Sequence, residues 1–503
     1  MSVVTKNVWK NFVGNFYRLN LKTTWWTKGQ RKCFEMKVLR YFVSTRKKQW
    51  RLFLLCIIVF TVAGYLYWLS LQPNSITVKR GPNTKPQNTP SPWSASTSPS
   101  VNNIEHFYTT LAKPNKFVNG NKRRKRSFTK QRPTKHQMLS TVKDINPIKA
   151  SHNVHIFYYP WFGNPTTDGK YIHWNHEYLP HWNKEVAARY KHGIHVPPDD
   201  IGSDFYPELG CYSSSDENTI REHMQQIRAS GAGVVVVSWY PEHKADQQGI
   251  PVDRLVPKLL NIAAEYGLKV TLHIEPYKDR NELTVRDDAI YIHKKYAQHP
   301  ALYKYKTADN RHLPLLYVYD SYHTKPHDWA NLLKPGGKYT IRNTPHDCFM
   351  IALMVEFSHK DYINTGGFDG FYTYFAVNGF TYGSRWDAWS RLKSFADQTN
   401  TVFIPSVGPG YIDTSIRPWN SANTRSRENG DYYRRSFRAA LSVQPPLISV
   451  TSFNEWHEGT QIERAIPKTG NSFKYKDYSP NGPDYYLKLT RTYVEKFEKW
   501  DEK

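Results

Sequence analysis

The sequence predicts an α/β protein whose main body is a (β/α)8 TIM-like barrel, preceded by an N-terminal transmembrane helix and a disordered stem. Three observations predict it. Eight short apolar or β-branched runs recur over about the last 350 of 503 residues, and helical patterns lie between them. The alternation of strand and helix is that of a parallel sheet closed on itself. The first run is followed by YYPWFGNP and not by the Gly-rich phosphate loop that an open doubly wound sheet would normally carry.

The N-terminal elements follow from charge and hydropathy. Leu52 to Leu71, LFLLCIIVFTVAGYLYWLSL, holds no charge in 20 residues, the length a helix needs to cross a hydrocarbon core. Trp50 stands at one end and Tyr67 and Trp68 near the other, where amphipathic rings favour the interface. A run apolar on every face and flanked by RKKQWR does not suit a buried core helix, and it exceeds a signal-peptide core. Residues 1–51 carry 13 Lys/Arg against one acid, Glu35, which keeps that end cytosolic and makes the chain a single-pass type II membrane protein. Residues 72–151 are rich in Pro, Ser, Thr, Asn and Lys, a composition that buries too little apolar area to fold, and they read as a flexible lumenal stem. Within it KRRKRS (122–127) is either a solvated basic spacer or a convertase cleavage site after Arg126. The folded domain then spans 152–503.

Net charge and cysteines exclude two classes. The formal charge of +26 resides in the two basic segments, at +12 for 1–51 and +13 for 72–151, which leaves the remainder at +1. A nucleic-acid-binding domain would concentrate its charge in the fold, so no nucleic-acid partner is expected. Four cysteines, of which only Cys211 and Cys348 are lumenal, exclude a disulfide scaffold and leave one disulfide open. No N-glycosylation sequon follows residue 71.

The eight runs are HIFYYP (155–160), GVVVVSWY (233–240), LKVTLHIEPY (268–277), LPLLYVYD (313–320), CFMIALMV (348–355), GFDGFYTYF (367–375), TVFIPSVG (401–408) and PLISVTSF (446–453). Between the first two, Ser215 or Asp216 can cap a helix with Ile220, Met224 and Ile227 on one face and Gly231 after its end. Between the next two, Leu255, Leu259 and Ile262 form the apolar face of a helix that stops at Gly267.

In such a barrel the site lies where the strands end. The residues there are Tyr159 and Trp161, Trp239 and Tyr240, Glu275 and Tyr277, Tyr319 and Asp320, Glu356, Tyr374, and the cluster Asn454, Glu455, Trp456, His457, Glu458. Rings and carboxylates converging at one mouth suit a sugar, whose C–H faces stack and whose hydroxyls need polar partners. Any one ring could equally cap a barrel layer. Glycosidic cleavage generally uses one carboxyl to protonate the leaving oxygen and another on the nucleophilic side, and Glu455 and Glu458 are the candidate pair. They share a face if the loop turns helically; acids at a solvated helix start are the other reading. His173, His176 and His181 in HWNHEYLPHW lack the tighter HExxH spacing of a zinc site and include Pro180, so no metal is expected. There is no P-loop, Rossmann fingerprint or G-x-S-x-G.

Taken in order, HIFYYPWFGNP, SWYPE, HIEPY, GFYTYFA, PSVGPGYIDTSIRPWN and SFNEWHEGTQIE resemble glycoside hydrolase family 99 over roughly residues 151–500. The resemblance implies a (β/α)8 barrel and a retaining, metal-independent endo-α-1,2-mannosidase activity without cofactors. It acts on glucosylated high-mannose N-glycans of glycoproteins and releases glucosyl-α-1,3-mannose through a 1,2-anhydro sugar. It further implies Glu455 as base on the 2-hydroxyl and Glu458 as acid, then base. Tyr159, Glu275, Tyr374 and Arg417 match the subsite of the cleaved mannose, and Tyr240 the ring beside the distal glucose, with Trp239 before it. His173 and Asn454 are neighbours. The anchor and stem resemble the family's Golgi forms, although KRRKRS has no counterpart there. A lectin-like, non-catalytic binder of glucosylated glycans and another α-mannan-cleaving barrel hydrolase are the alternative readings. The oligomeric state is not legible.

Overall fold

The computed structural model describes residues 149–501 apart from residue 472. The predicted cytosolic tail, Leu52–Leu71 anchor, most of the stem and Arg126 lie outside the described residues. Among the described residues no helix is long and apolar enough to cross a membrane.

Each of the eight apolar runs forms a strand. They are β1 (Ser151–Tyr158), β2 (Ala232–Trp239), β3 (Lys269–Ile274), β5 (His312–Val318), β6 (Phe349–Leu353), β7 (Gly370–Tyr372), the interrupted pair β8 (Val402–Ile404) and β9 (Ser406–Val407), and β10 (Ile448–Val450). Every pairing among them is parallel. β8 pairs with β7, and β9, one residue on past Pro405, pairs with β10, which lies against β1. The sheet thus forms a nearly closed parallel barrel. A short charged strand, β4 (Lys304–Lys306), was not legible as a run and pairs antiparallel with β5 off the barrel path.

After each strand comes a helix: α1 (Glu217–Ser230), α2 (Val256–Glu265), α3 (Glu282–Tyr296), α4 (Pro326–Leu333), α5 (Lys360–Asn364), α6 (Trp389–Thr399), α7 (Asp431–Ser442) and α8 (Tyr485–Asp501). α1 begins as expected, with the Asp216 carboxylate accepting from the Asn218 N–H, and ends at Gly231 in the left-handed region (φ 83°). Ile220, Met224 and Ile227 are fully buried against the sheet. α2 follows a turn of 3-10 helix and stops before Gly267.

Two apolar layers result, and the period of two along each strand sorts the residues between them. Val235, Val237 and Trp239 of β2 join the layer between sheet and helices, while Val234 and Val236 point into the barrel. β2 therefore reads as a continuous apolar run, as a strand covered on both faces should. Its Gly233 is required by close packing, because a Cβ there would lie 2.3 Å from the Ser151 carbonyl oxygen of β1. The barrel interior is unusually aromatic: Phe157, Tyr159, Tyr317, Tyr372 and Tyr374 line it with Ile351, Leu353 and Ile404. Phe157 contacts the rings of His273, Tyr317, Tyr372 and Tyr374 at centroid distances of 5.0–5.8 Å. Cys211 and Cys348 are both free thiols, which answers the open disulfide question.

Phe157→Ala should leave a cavity at the centre of these rings and cost about 3–5 kcal/mol. Denaturant unfolding of the wild type and the variant measures it.

Candidate active site

The mouth of the barrel is organised by Asn454, in the loop after β10. Asn454 is fully buried. Its Oδ1 accepts the Tyr159 N–H at 2.8 Å and its Nδ2 donates to the Tyr159 carbonyl at 2.9 Å, so one carboxamide clasps the exit of β1 to the exit of β10. Beyond it, the Glu455 N–H donates to Ser452 Oγ (2.9 Å), and a turn closes with the Gly459 N–H donating to the Trp456 carbonyl (3.2 Å). The loop makes this single tight turn rather than the start of a helix. Gly459 sits at φ 60°, and a Cβ on it would meet Ile412 Cγ2 at 2.5 Å, which only glycine avoids.

The turn brings Glu455 and Glu458 to the same mouth in unequal surroundings. Glu455 is 5% exposed, and its Oε1 accepts the His457 N–H at 3.2 Å. Glu458 is more open, and its Oε1 lies 3.3 Å from Arg417 Nη1. The same Nη1 lies 3.1 Å from Asp413 Oδ2, which also accepts from Tyr411 (2.9 Å) and Asn420 (2.8 Å). Burial pushes the Glu455 carboxyl well above its ordinary value and the neighbouring Glu458 charge adds to this, with the His457 N–H, Arg417 and Glu275 as smaller influences of mixed sign. Burial also raises Glu458, opposed by Arg417 and reinforced by Asp413. Two carboxyls that repel each other in a desolvated pocket titrate as a unit and retain a proton more readily than free carboxylates.

Opposite them stand Tyr159 and Tyr374, whose hydroxyls hydrogen-bond to one another. Burial first, and then the charges of Glu455, Glu275 and Glu458, holds the Tyr159 phenol well above its ordinary range, so it stays a neutral donor. Glu275 is the third carboxylate of the cluster. His273 Nδ1 lies 3.0 Å from Glu275 Oε1, and its Nε2 lies 2.6 Å from the Tyr372 hydroxyl. The His273 ring thus bridges Tyr372 and Glu275, which ties up all three buried groups and fixes the direction of Glu275.

Of the residues singled out from sequence, Glu455, Glu458, Glu275, Tyr159, Tyr374, Arg417 and Asn454 come together here. His173 lies at the edge. Its ring stacks on Trp161 (4.6 Å, 9° between planes) and its Nε2 lies 2.8 Å from Asp246 Oδ2. Tyr240 is partly exposed at the end of β2. Trp239 is placed elsewhere: it is fully buried on the helix side of β2, and its Nε1 donates to Asp253 Oδ1 at 2.9 Å. The alternation that points Val236 inward turns residue 239 outward, so Trp239 supports the barrel and presents no face to a ligand. Trp456 likewise turns back into the core, donating to Glu463 Oε2 at 3.0 Å.

Sequence reasoning missed Asp413, His273 and Tyr372. Asp413 could have been found from its four-residue spacing to Arg417, and His273 from sharing the inward period of Glu275 two residues on. Tyr372 could have been found in the same way, two residues before Tyr374 in the run GFDGFYTYF.

The pattern of Glycosyl hydrolase family 99 matches residues 149–499. The chain is similar to a glycoprotein endo-alpha-1,2-mannosidase of Xenopus laevis, 57% identical over 349 residues, covering 69% of this chain and 78% of that protein. It is similar to a human glycoprotein endo-alpha-1,2-mannosidase-like protein, 53% identical over 355 residues, 71% and 78% of the two chains. The solved GH99 endo-alpha-mannosidase of Bacteroides thetaiotaomicron superposes with a TM-score of 0.65 at 43% identity, over 71% of this chain and 100% of that one.

The raised carboxyls give a stability prediction with a definite sign. A group whose folded pKa lies above its unfolded value stabilises the fold below the unfolded value and loses that contribution as pH rises. Glu455 ordinarily titrates near 4.5, so wild-type stability should decline from that pH upward, relative to a chain that cannot ionise there. Thermal melts of Glu455→Gln and wild type from pH 4 to pH 8 should nearly coincide at the acid end. The variant should then become progressively the more stable.

Proposed function

The chain belongs to glycosyl hydrolase family 99 and is a glycoside hydrolase; from that membership we propose that it is a retaining, metal-independent endo-α-1,2-mannosidase acting on glucosylated high-mannose N-glycans, with glucosyl-α-1,3-mannose as product. The observation that carries the reading is the unequal carboxyl pair, Glu455 deep beside the His457 N–H and Glu458 beside Arg417, facing the Tyr159–Tyr374 hydroxyls.

The family's mechanism fits the chemistry of α-mannose. Its 2-hydroxyl is axial and trans to the leaving group, so once deprotonated it can displace that group from the opposite face. Glu455 takes the O2 proton, O2 bonds to C1, the C1–oxygen bond breaks, and Glu458 protonates the departing oxygen. Glu458 then removes a proton from water, whose oxygen attacks C1 and opens the 1,2-anhydro ring, and Glu455 returns the proton to O2. Two inversions retain the α configuration. The substrate supplies its own nucleophile, in contrast to hydrolases that use a carboxylate for that step.

The electrostatics support the two roles in a particular way. Raised basicity suits Glu455 to deprotonating a hydroxyl, and a proton retained by the pair suits Glu458 to protonating a leaving oxygen. The assigned order requires the bound 2-hydroxyl to donate to Glu455, which stabilises its carboxylate and leaves the proton retained by the pair on Glu458. In this reading Glu275, fixed by His273, and Tyr159 hold the mannose hydroxyls. The same reading puts the domain in the Golgi lumen, anchored by Leu52–Leu71.

Incubating the protein, chelator present, with a glucosylated high-mannose glycan and following products by mass and NMR tests this. The expected result is a glucose–mannose disaccharide released first as the α anomer. Glu455→Gln and Glu458→Gln should each lower turnover at least roughly a thousandfold, as loss of a principal acid or base does, while still binding the disaccharide. Tight glycan binding without cleavage by the wild type would instead mark a lectin. Protease protection of the domain in intact membrane vesicles checks the orientation, and cleavage of the domain in sealed vesicles would overturn it.

A further inference from the structure

Glu458 stands beside a cation, which is an odd place for an acid. Arg417 Nη1 lies 3.3 Å from Glu458 Oε1, and a guanidinium at that distance favours the carboxylate over the carboxyl. The same Nη1 is paired with Asp413 Oδ2 at 3.1 Å. Backbone hydrogen bonds hold the three groups in place. The Ile412 N–H donates to the Glu458 carbonyl at 2.8 Å, which ties the loop after β9 to the turn that carries the glutamate. The Arg417 N–H donates to the Asp413 carbonyl at 2.7 Å, which closes a turn and brings arginine and aspartate together.

Asp413 supplies more than a hydrogen-bond acceptor. It is fully buried, and its Oδ2 alone accepts from Tyr411 (2.9 Å), Asn420 (2.8 Å) and Arg417. Its Oδ1 is buried with no hydrogen-bond partner among the described residues. One acceptor oxygen is enough to hold this loop, and the side-chain carbonyl of an asparagine would supply it. A second oxygen buried without a donor is costly, and what it contributes is charge.

Counting charges around Glu458 shows what that charge does. Burial holds the phenols of Tyr159, Tyr374 and Tyr411 well above their ordinary range and the His457 imidazole well below its own, so all four are neutral. Glu455 opposes a second negative charge beside it. The ion pair that faces Glu458 is Arg417 with Asp413. With the arginine alone, an ionised Glu458 would make the cluster neutral. With the aspartate present, arginine and aspartate already cancel, and the protonated Glu458 leaves the cluster neutral. A desolvated pocket favours the neutral arrangement. Burial accordingly raises the Glu458 carboxyl, Arg417 lowers it, and Asp413 raises it again.

We propose that Asp413 is a positioning residue for the acid step: by pairing with Arg417 it keeps the proton on Glu458 until the leaving oxygen takes it. The inference rests on the proposed function, in which Glu458 protonates that oxygen.

Two probes that differ only in the leaving group test it through their pH profiles. Glucosyl-α-1,3-mannosyl-α-1,2-mannose releases an alcohol and needs the proton. The 2,4-dinitrophenyl glycoside of the same glucosyl-mannose releases a phenolate and does not. Wild-type cleavage of the trisaccharide establishes the activity independently of Asp413. Its kcat/KM should fall on the alkaline side as the carboxyl pair loses its retained proton, and the aryl glycoside should show no such fall. Asp413→Asn should move the fall to lower pH by about one unit, so that at alkaline pH the trisaccharide loses about tenfold more than the aryl glycoside. Asp413→Glu, which restores the charge, should move the fall back toward its wild-type position. If Asp413→Asn does not fold, Asp413→Ser, smaller and also neutral, should give the same shift. A fall that stays in place, or equal losses on both probes at every pH, makes Asp413 a loop support only and overturns the proposal. If the wild type cleaves neither probe, the proposed function falls and the assignment with it.

Discussion

Two hydrogen bonds from one buried carboxamide set the geometry on which the active site depends. Asn454 pairs its side chain with both backbone groups of Tyr159, and so locks the exit of the last strand to the exit of the first. Register between β1 and β10 already aligns Val154 with Ile448 and Ile156 with Val450. The clasp carries that alignment past the end of the sheet, into loops that would otherwise be held by turns alone. Because Asn454 immediately precedes Glu455, the position of the carboxylate follows from the closure of the barrel. Behind the loop, Glu463 accepts from Trp456 and Tyr212 and lies 3.2 Å from His223 Nε2, so a second buried carboxylate anchors its far side.

The aromatic interior serves the same end. In most barrels of this kind branched aliphatic side chains fill the core. Here tyrosines and histidines share the interior with Val234, Val236, Ile351, Leu353 and Ile404, and their polar tips are paired: His155 with Tyr317, His273 with Tyr372 and Glu275, Tyr159 with Tyr374. Each of these rings contributes apolar contact along its body and hydrogen bonding at its tip, so a column of packing ends in oriented polar groups at the mouth. The column is also why a polar site can sit on a dry core without leaving the His273 imidazole unsatisfied.

Electrostatically the mouth holds Glu455, Glu458, Glu275 and Asp413 around Arg417. One guanidinium is shared between Asp413 and Glu458, and Glu455 is left with a backbone N–H. This is an expensive arrangement for an empty protein, since like charges in a desolvated pocket raise one another's pKa. It is useful for a glycosidase, which needs a base stronger than a free carboxylate and an acid that keeps its proton near neutrality.

The sequence by itself determined the barrel and the family. Eight apolar runs with helices between them leave few alternatives to a closed parallel sheet, and the carboxylates of NEWHEG are recognisable as a local motif. Helix ends were legible where a cap is local, as at Asp216 and Gly231. Only the tertiary structure decided which rings turn into the core. Trp239 and Tyr240 look alike as neighbours in a sequence, yet strand alternation sends the first to the helix layer and leaves the second partly exposed just past the end of β2. His273 and Tyr372 meet across different strands, β3 and β7. Composition and period report what a residue can do along its own element, whereas the direction in which it does it is set by elements far away in the chain.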